Sequence, residues 1–152
     1  MIEVGNSVPN FSLIGSDNNL HSLSDYKGKK VILYFYPRDN TPGCTTEACE
    51  FRDNNKQIID SNTIILGISK DPLASHVKFI TKFDLPFILL SDEEKTVCNL
   101  FDVIKEKNMY GKKVLGIERS TFLIDENGIL IKEYRKVKVK GHVDSIIEEF
   151  FN

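Results

Sequence analysis

The run KVILYFY at residues 30–36 does most to limit what this chain can fold into. After Lys30 it shows no polar alternation. β-branched and aromatic residues follow one another as they do in a strand covered on both faces. Such a strand needs packed layers on two sides of its sheet, which points to an α/β architecture. Pro37 ends the strand, and a helix start follows at once in PRDNTPGCTTEACEF. Thr41 is placed as an N-cap, its hydroxyl accepting from a free backbone N–H. Pro42 falls at the first helical position, where its missing N–H costs nothing. Cys44 therefore lies in the first turn. There the unpaired N–H groups and the positive end of the helix dipole favour thiolate over thiol, giving a nucleophile at neutral pH.

Cys49 follows five residues later on the same helix. In an intact helix the two Cα atoms are roughly 8–9 Å apart on different faces, whereas a disulfide needs less than about 7 Å. The pair can bond only if the first turns unwind. This points to a disulfide that forms and breaks in a cycle rather than a permanent staple. The competing reading is two incidental small core residues. It is disfavoured because the C-x4-C pair comes with a preceding strand, a cap and an N1 proline.

Around this centre, apolar stretches at 11–14 and 20–23 flank the turn-rich segment 15–19, an opening hairpin. The helix begun at Pro42 is expected to run to about Asp60, with Cys44, Ala48, Phe51, Asn55 and Ile58 along one face. Residues 63–69 (TIILGIS) read as a second buried strand and 87–90 as a third. Residues 72–83 read as a helix with Pro72 at its start and Leu73, Val77 and Ile80 inward. A short helix is expected around 96–101. Residues 103–114 are polar, lysine-rich and without assignable period. Segments 119–124 and 129–137 flank Asn127-Gly128, a strong hairpin signal. Val143, Ile146, Ile147, Phe150 and Phe151 mark one face of a terminal helix. The expectation is a mixed central sheet with helices on both faces and an N-terminal hairpin, in a single domain of residues 1–152.

Composition bounds the function. The 152 residues are 41% hydrophobic and 28% charged, globular values, and the net charge of −2 gives no general attraction to nucleic acid or anionic membrane. No apolar run approaches the roughly 20 residues that cross a bilayer. The N-terminus has neither a basic n-region nor an apolar h-region. A cytoplasmic, reducing compartment is therefore expected. Three cysteines, an odd number with one tight pair, fit redox chemistry there better than a disulfide framework.

The string YPRDNTPGCTTEACEFRD resembles the active-site loop of peroxiredoxins, specifically of the bacterioferritin comigratory protein branch, also called Q-type thiol peroxidases. The family pattern Pro-x-x-x-Thr-x-x-Cys falls on Pro37, Thr41 and Cys44. ERSTFLIDENG resembles the second family signature and places its arginine at Arg119. The likeness runs from VGNSVPNFSL to GHVDSIIEEF, with Arg38 the one mild departure, where lysine is more usual. The resemblance implies a thioredoxin-like fold and a thiol peroxidase without metal or organic cofactor. It makes Cys44 the peroxidatic cysteine, Cys49 the resolving cysteine of one subgroup and Glu47 an acidic residue usually found between them. Thr41 is expected to donate a hydrogen bond to the peroxide, Arg119 to stabilise thiolate and peroxide, and backbone N–H groups near Gly43 and Cys44 to complete the site. Thioredoxin or a similar dithiol is the implied reductant, and a monomer the implied state.

Other residues read as structural. Cys98, between Val97 and Leu100, fits the buried packing typical of free cysteine; it lies outside the segment where some relatives carry a second resolving cysteine. His21, His76 and His142 are scattered without ligand spacing, as surface or core-satisfying histidines are. The basic segment 132–140 suits a solvated strand edge. Two alternatives stand beside the peroxidase. A thioredoxin-like disulfide exchanger would need C-x-x-C, which is absent. A zinc-binding module would need Cys44, Cys49, Cys98 and a histidine to converge.

Overall fold

Strand β3 (Lys30–Phe35) is hydrogen-bonded along both edges, in parallel to β4 (Thr63–Ser69) and antiparallel to β8 (Ser120–Ile124). Its lack of polar alternation follows from this position. Val31, Leu33 and Phe35 enter one core, while Ile32, Tyr34 and the following Tyr36 enter the other. The computed structural model describes residues 2–151.

The remaining elements are β1 (Ser12–Gly15), β2 (Leu20–Ser22), a 3-10 turn Leu23–Tyr26, α1 (Pro42–Asp53), α2 (Asn55–Asp60), α3 (Leu73–Phe83), β5 (Ile88–Ser91), α4 (Thr96–Leu100), β6 (Ile104–Met109), β7 (Lys112–Ile117), β9 (Leu130–Tyr134) and α5 (His142–Phe150). The sheet has seven strands in the order β2-β1-β5-β4-β3-β8-β9. β3, β4 and β5 run parallel, and the outer pairs are antiparallel, so the sheet is mixed. Phe51, Ile58, Phe79, Val143 and Ile146 bring α1, α2, α3 and α5 onto one face. Val97, Cys98 and Phe101 bring α4 onto the other, together with Phe11, Val103 and Ile117. The N-terminal hairpin is present, and Asn127-Gly128 joins β8 to β9 with Gly128 at φ +79. Gly67 has a packing role: a Cβ there would stand 2.7 Å from Leu89 Cδ2 and 3.0 Å from the Tyr34 ring, which lies across β4.

Several expectations need correction. The helix begun at Pro42 does not run unbroken to Asp60. It breaks at Asn54, whose backbone leaves the helical region at ψ 4 while its side chain donates to the Glu50 carbonyl at 2.8 Å beside the backbone N–H. On α3, Pro72 is the N-cap rather than the first helical residue. The buried positions are His76 and Phe79, and Val77 is exposed. Leu73 and Ile80 are half-buried, Ile80 against the core, so the expectation fails at Val77: hydropathy passes over His76, which is fully satisfied by partners distant in sequence. The unassigned lysine-rich stretch is the hairpin β6-β7, a separate two-stranded sheet. β9 is an edge strand, but of the lysines in the basic segment 132–140 it takes only Lys132; Lys136, Lys138 and Lys140 lie beyond its end. Among the described residues no helix is long and apolar enough to cross a membrane.

Candidate active site

The loop between β3 and α1 delivers Cys44 to the C-terminal end of the central strands. Pro42 at the start of α1 and Thr41 at its N-cap position are as the sequence indicates. The cap chemistry is not. Thr41 makes no side-chain cap bond; its hydroxyl donates to the Arg38 carbonyl at 2.9 Å. The helix start is held instead by the Thr45 N–H bonding to the Thr41 carbonyl at 2.8 Å. Cys44, Glu47, Ala48 and Phe51 form the buried stripe of α1, with Cys44 only 2% exposed.

Arg119 arrives from the residue before β8, 75 positions away from Cys44. Its guanidinium forks: Nη2 lies 3.4 Å from Cys44 Sγ, and Nη1 donates to Glu47 Oε1 at 2.7 Å. Gly43 keeps this approach open, since a Cβ there would lie 3.2 Å from Arg119 Nη2. Burial opposes the charge on Arg119, but Glu47 and Cys44 more than offset it and leave its pKa above the ordinary value. For Glu47, burial wins over the attraction of Arg119, and its pKa rises to about 7. Glu47 Oε2 and Tyr34 Oη are buried without a hydrogen-bond partner among the described residues. Tyr34 packs under α1, its ring centroid 4.8 Å from that of Phe51.

The structure thus brings together Cys44, Glu47 and Arg119. Pro37 and Thr41 frame the same loop. Cys49 is a free, partly buried thiol on the same unbroken α1. Cys98 packs in the opposite core, so the three cysteines do not converge as zinc ligands. Among the described residues, the one cluster with metal-ligating groups is Asp39, Asp71 and His76.

Two basic residues near the site carry no signal in the sequence. His142, which reads there as a structural histidine, lies at the start of α5 with Nε2 2.7 Å from Thr121 Oγ1. Burial, aided by the charge of Arg119, lowers its pKa to about 4, so it is neutral at physiological pH. Lys107 on β6 donates to the Ile117 carbonyl at 2.5 Å. Burial and then the charge of Arg119 lower its pKa, with Cys44 opposing. Neither residue falls in a motif, and no periodicity marks them.

Comparison with known proteins decides the family. The AhpC/TSA family pattern matches residues 4–133. The chain belongs to this family. It is 53% identical to a putative peroxiredoxin bcp of Coxiella burnetii over 146 residues, covering 96% of this chain and 97% of the relative. It is 52% identical to peroxiredoxin Bcp of Bacillus subtilis over 147 residues, 97% and 94% of the two chains. Among solved structures, PrxQ of Xylella fastidiosa superposes with a TM-score of 0.92 at 40% identity, covering 98% of this chain and 95% of that one. The bacterioferritin comigratory protein of Xanthomonas campestris, studied for alkyl peroxide reduction, gives 0.90 at 42% identity with the same coverage. The fold is therefore thioredoxin-like. The chain is a peroxiredoxin of the bacterioferritin comigratory branch, a thiol peroxidase that acts on peroxide and is recycled by a thiol reductant.

Proposed function

We propose that Cys44 is the peroxidatic residue and Cys49 the resolving one. The observation that carries this reading is the guanidinium of Arg119 on Cys44 Sγ at 3.4 Å, at the N-terminus of α1. It sets a cation and free N–H groups around the sulfur where negative charge must be held. Cys44 thiolate attacks the distal peroxide oxygen; the S–O bond forms, the O–O bond breaks, and the departing alkoxide takes a proton. Sulfur is oxidised by two electrons to the sulfenic acid. Cys49 thiolate then attacks that sulfur and expels hydroxide, leaving a Cys44–Cys49 disulfide. A dithiol such as thioredoxin reduces it by exchange.

Arg119 positions the peroxide and carries the charge that develops on it, and Glu47 fixes the guanidinium from its far side. Pro37 closes the loop side. Thr41 enters in a modified role. Since its proton is given to Arg38 O, its oxygen presents lone pairs that accept from the peroxide O–H rather than donate. The same reading takes the chain as one domain, supported by two cores sharing one sheet, and as a cytoplasmic monomer, supported by cysteine usage and family likeness. Peroxide consumption with a thioredoxin system, beside mass analysis of the oxidised protein, tests it. Turnover with a 44–49 disulfide supports the proposal, and a disulfide on Cys98 overturns it.

A further inference from the structure

A second buried polar cluster lies beside the loop that leads to Cys44, and the peroxidase chemistry does not use it. Tyr36, Asp39 and His76 are 1%, 7% and 0% exposed. Three donors converge on the Asp39 carboxylate: Tyr36 Oη at 2.6 Å on Oδ1, with Ser75 Oγ at 2.8 Å and His76 Nδ1 at 2.7 Å on Oδ2. His76 Nε2 faces the Leu90 carbonyl at 3.1 Å, which can only accept, so that nitrogen carries a proton. Nδ1 faces the Asp39 carboxylate, with Tyr36 Oη 3.3 Å away. The Asp39 backbone N–H donates to Asp71 Oδ2 at 2.8 Å, and that oxygen also accepts from Ser69 Oγ at 2.6 Å. Asp39, Asp71 and His76 have the composition of a cation site. Their facing atoms are already taken by these donors, and the arrangement fits a hydrogen-bonded clasp better than a metal centre.

The clasp has a sharp boundary in the chain. Asp39 is buried and tied to α3, to the end of β4 and, through His76, to β5. The next residue, Asn40, is exposed and sits in the left-handed region at φ 58, which asparagine tolerates. Thr41 then takes the N-cap position of α1, which begins at Pro42. Resting on the proposal that a Cys44–Cys49 disulfide unwinds α1, we propose that Asp39 and His76 are positioning residues. Their clasp fixes the loop carrying Pro37 and Thr41 throughout the cycle, and Asn40 is the hinge beyond which the chain unwinds and rewinds. Without such an anchor, unwinding could spread into β3, and the site would have to be rebuilt at each turnover.

Two measurements on the full chain test this. In the reduced protein, single-turnover oxidation of Cys44 by hydrogen peroxide is followed for wild type, His76→Gln and His76→Asn. The glutamine can still reach Leu90 O but gives up Asp39; the asparagine replaces the Nδ1 contact. His76→Gln should slow the reaction by about ten- to a hundredfold, the scale of a misplaced reacting group, and His76→Asn should restore most of the rate. Equal rates in all three proteins, or equal losses in both variants, overturn the positioning role. The second measurement needs no variant and so survives a folding defect. In the peroxide-treated wild type, hydrogen exchange at the Asp39 amide should stay slow while residues 41–52 exchange fast. Equal exchange on both sides of Asn40 overturns the clasp. If mass analysis finds no 44–49 disulfide, the proposed resolving step has failed, and the single-turnover comparison still decides the role of His76.

Discussion

Replacing Glu47 by glutamine isolates the electrostatic balance behind Cys44. The side chain is fully buried, its Oε1 accepts from Arg119 at 2.7 Å, and burial outweighs that attraction. An acid whose midpoint moves from 4.5 in the unfolded chain to about 7 when folded loses about 3 kcal/mol of stability on ionising. The folded carboxyl keeps a proton that the unfolded one releases. Its contribution is thus fully present below pH 4.5 and is lost as the pH rises through 7. The glutamine side chain is nearly isosteric and does not titrate. Between pH 4.5 and 8.5 the stability difference between the two proteins should move in favour of Glu47→Gln by about 3 kcal/mol, or about 1–3 M in urea midpoint. His142 acts in the opposite sense, its contribution present above pH 6.5 and lost as pH falls through 4, but it is common to both proteins and cancels. Urea unfolding at four pH values gives the result. A difference that stays constant with pH would refute the argument, showing that Arg119 and not burial sets the state of Glu47.

The other expectations concern the thiols. Cys49→Ser should react once with peroxide and then accumulate sulfenic acid or its over-oxidised forms, as read by mass after one equivalent; unimpaired turnover with thioredoxin would mean that another thiol resolves. Cys98→Ala should keep activity and lose stability modestly, since Cys98 is buried in the core on the far side of the sheet, where burial and then Asp92 raise its pKa well above the ordinary value. Oxidation of the wild type should lower hydrogen-exchange protection across residues 41–52 and expose Ala48 and Phe51, both buried in the reduced helix. Equal protection in a protein whose disulfide is confirmed by mass would show the spacing argument to be wrong.

What could be read from the sequence was what local physics determines. The position of β3 followed from its uninterrupted apolar run, the β8-β9 turn from Asn127-Gly128, and the start of α1 from Thr41-Pro42. Contacts between distant segments left no local trace. The Arg119–Glu47 bond spans 72 residues, and only family likeness singled out both ends. Val77 and His76 exchanged places because hydropathy cannot see that Asp39 and Leu90 satisfy the imidazole. The hairpin β6-β7 escaped because most of its residues are exposed or half-buried, which removes the alternation that marks a strand. Thr41 illustrates a finer failure: its position was legible, but its hydroxyl turned to Arg38 O, because a hydroxyl rotor can donate to a nearby carbonyl as readily as accept from an amide.

The most direct test of the account is peroxide consumption by Cys44→Ser. Serine keeps the size and the place at the helix start but is scarcely ionised, so no nucleophile faces Arg119. Turnover with hydrogen peroxide and an alkyl hydroperoxide alike should be lost, in a protein that remains folded. Turnover retained near the wild-type rate would contradict the assignment of Cys44.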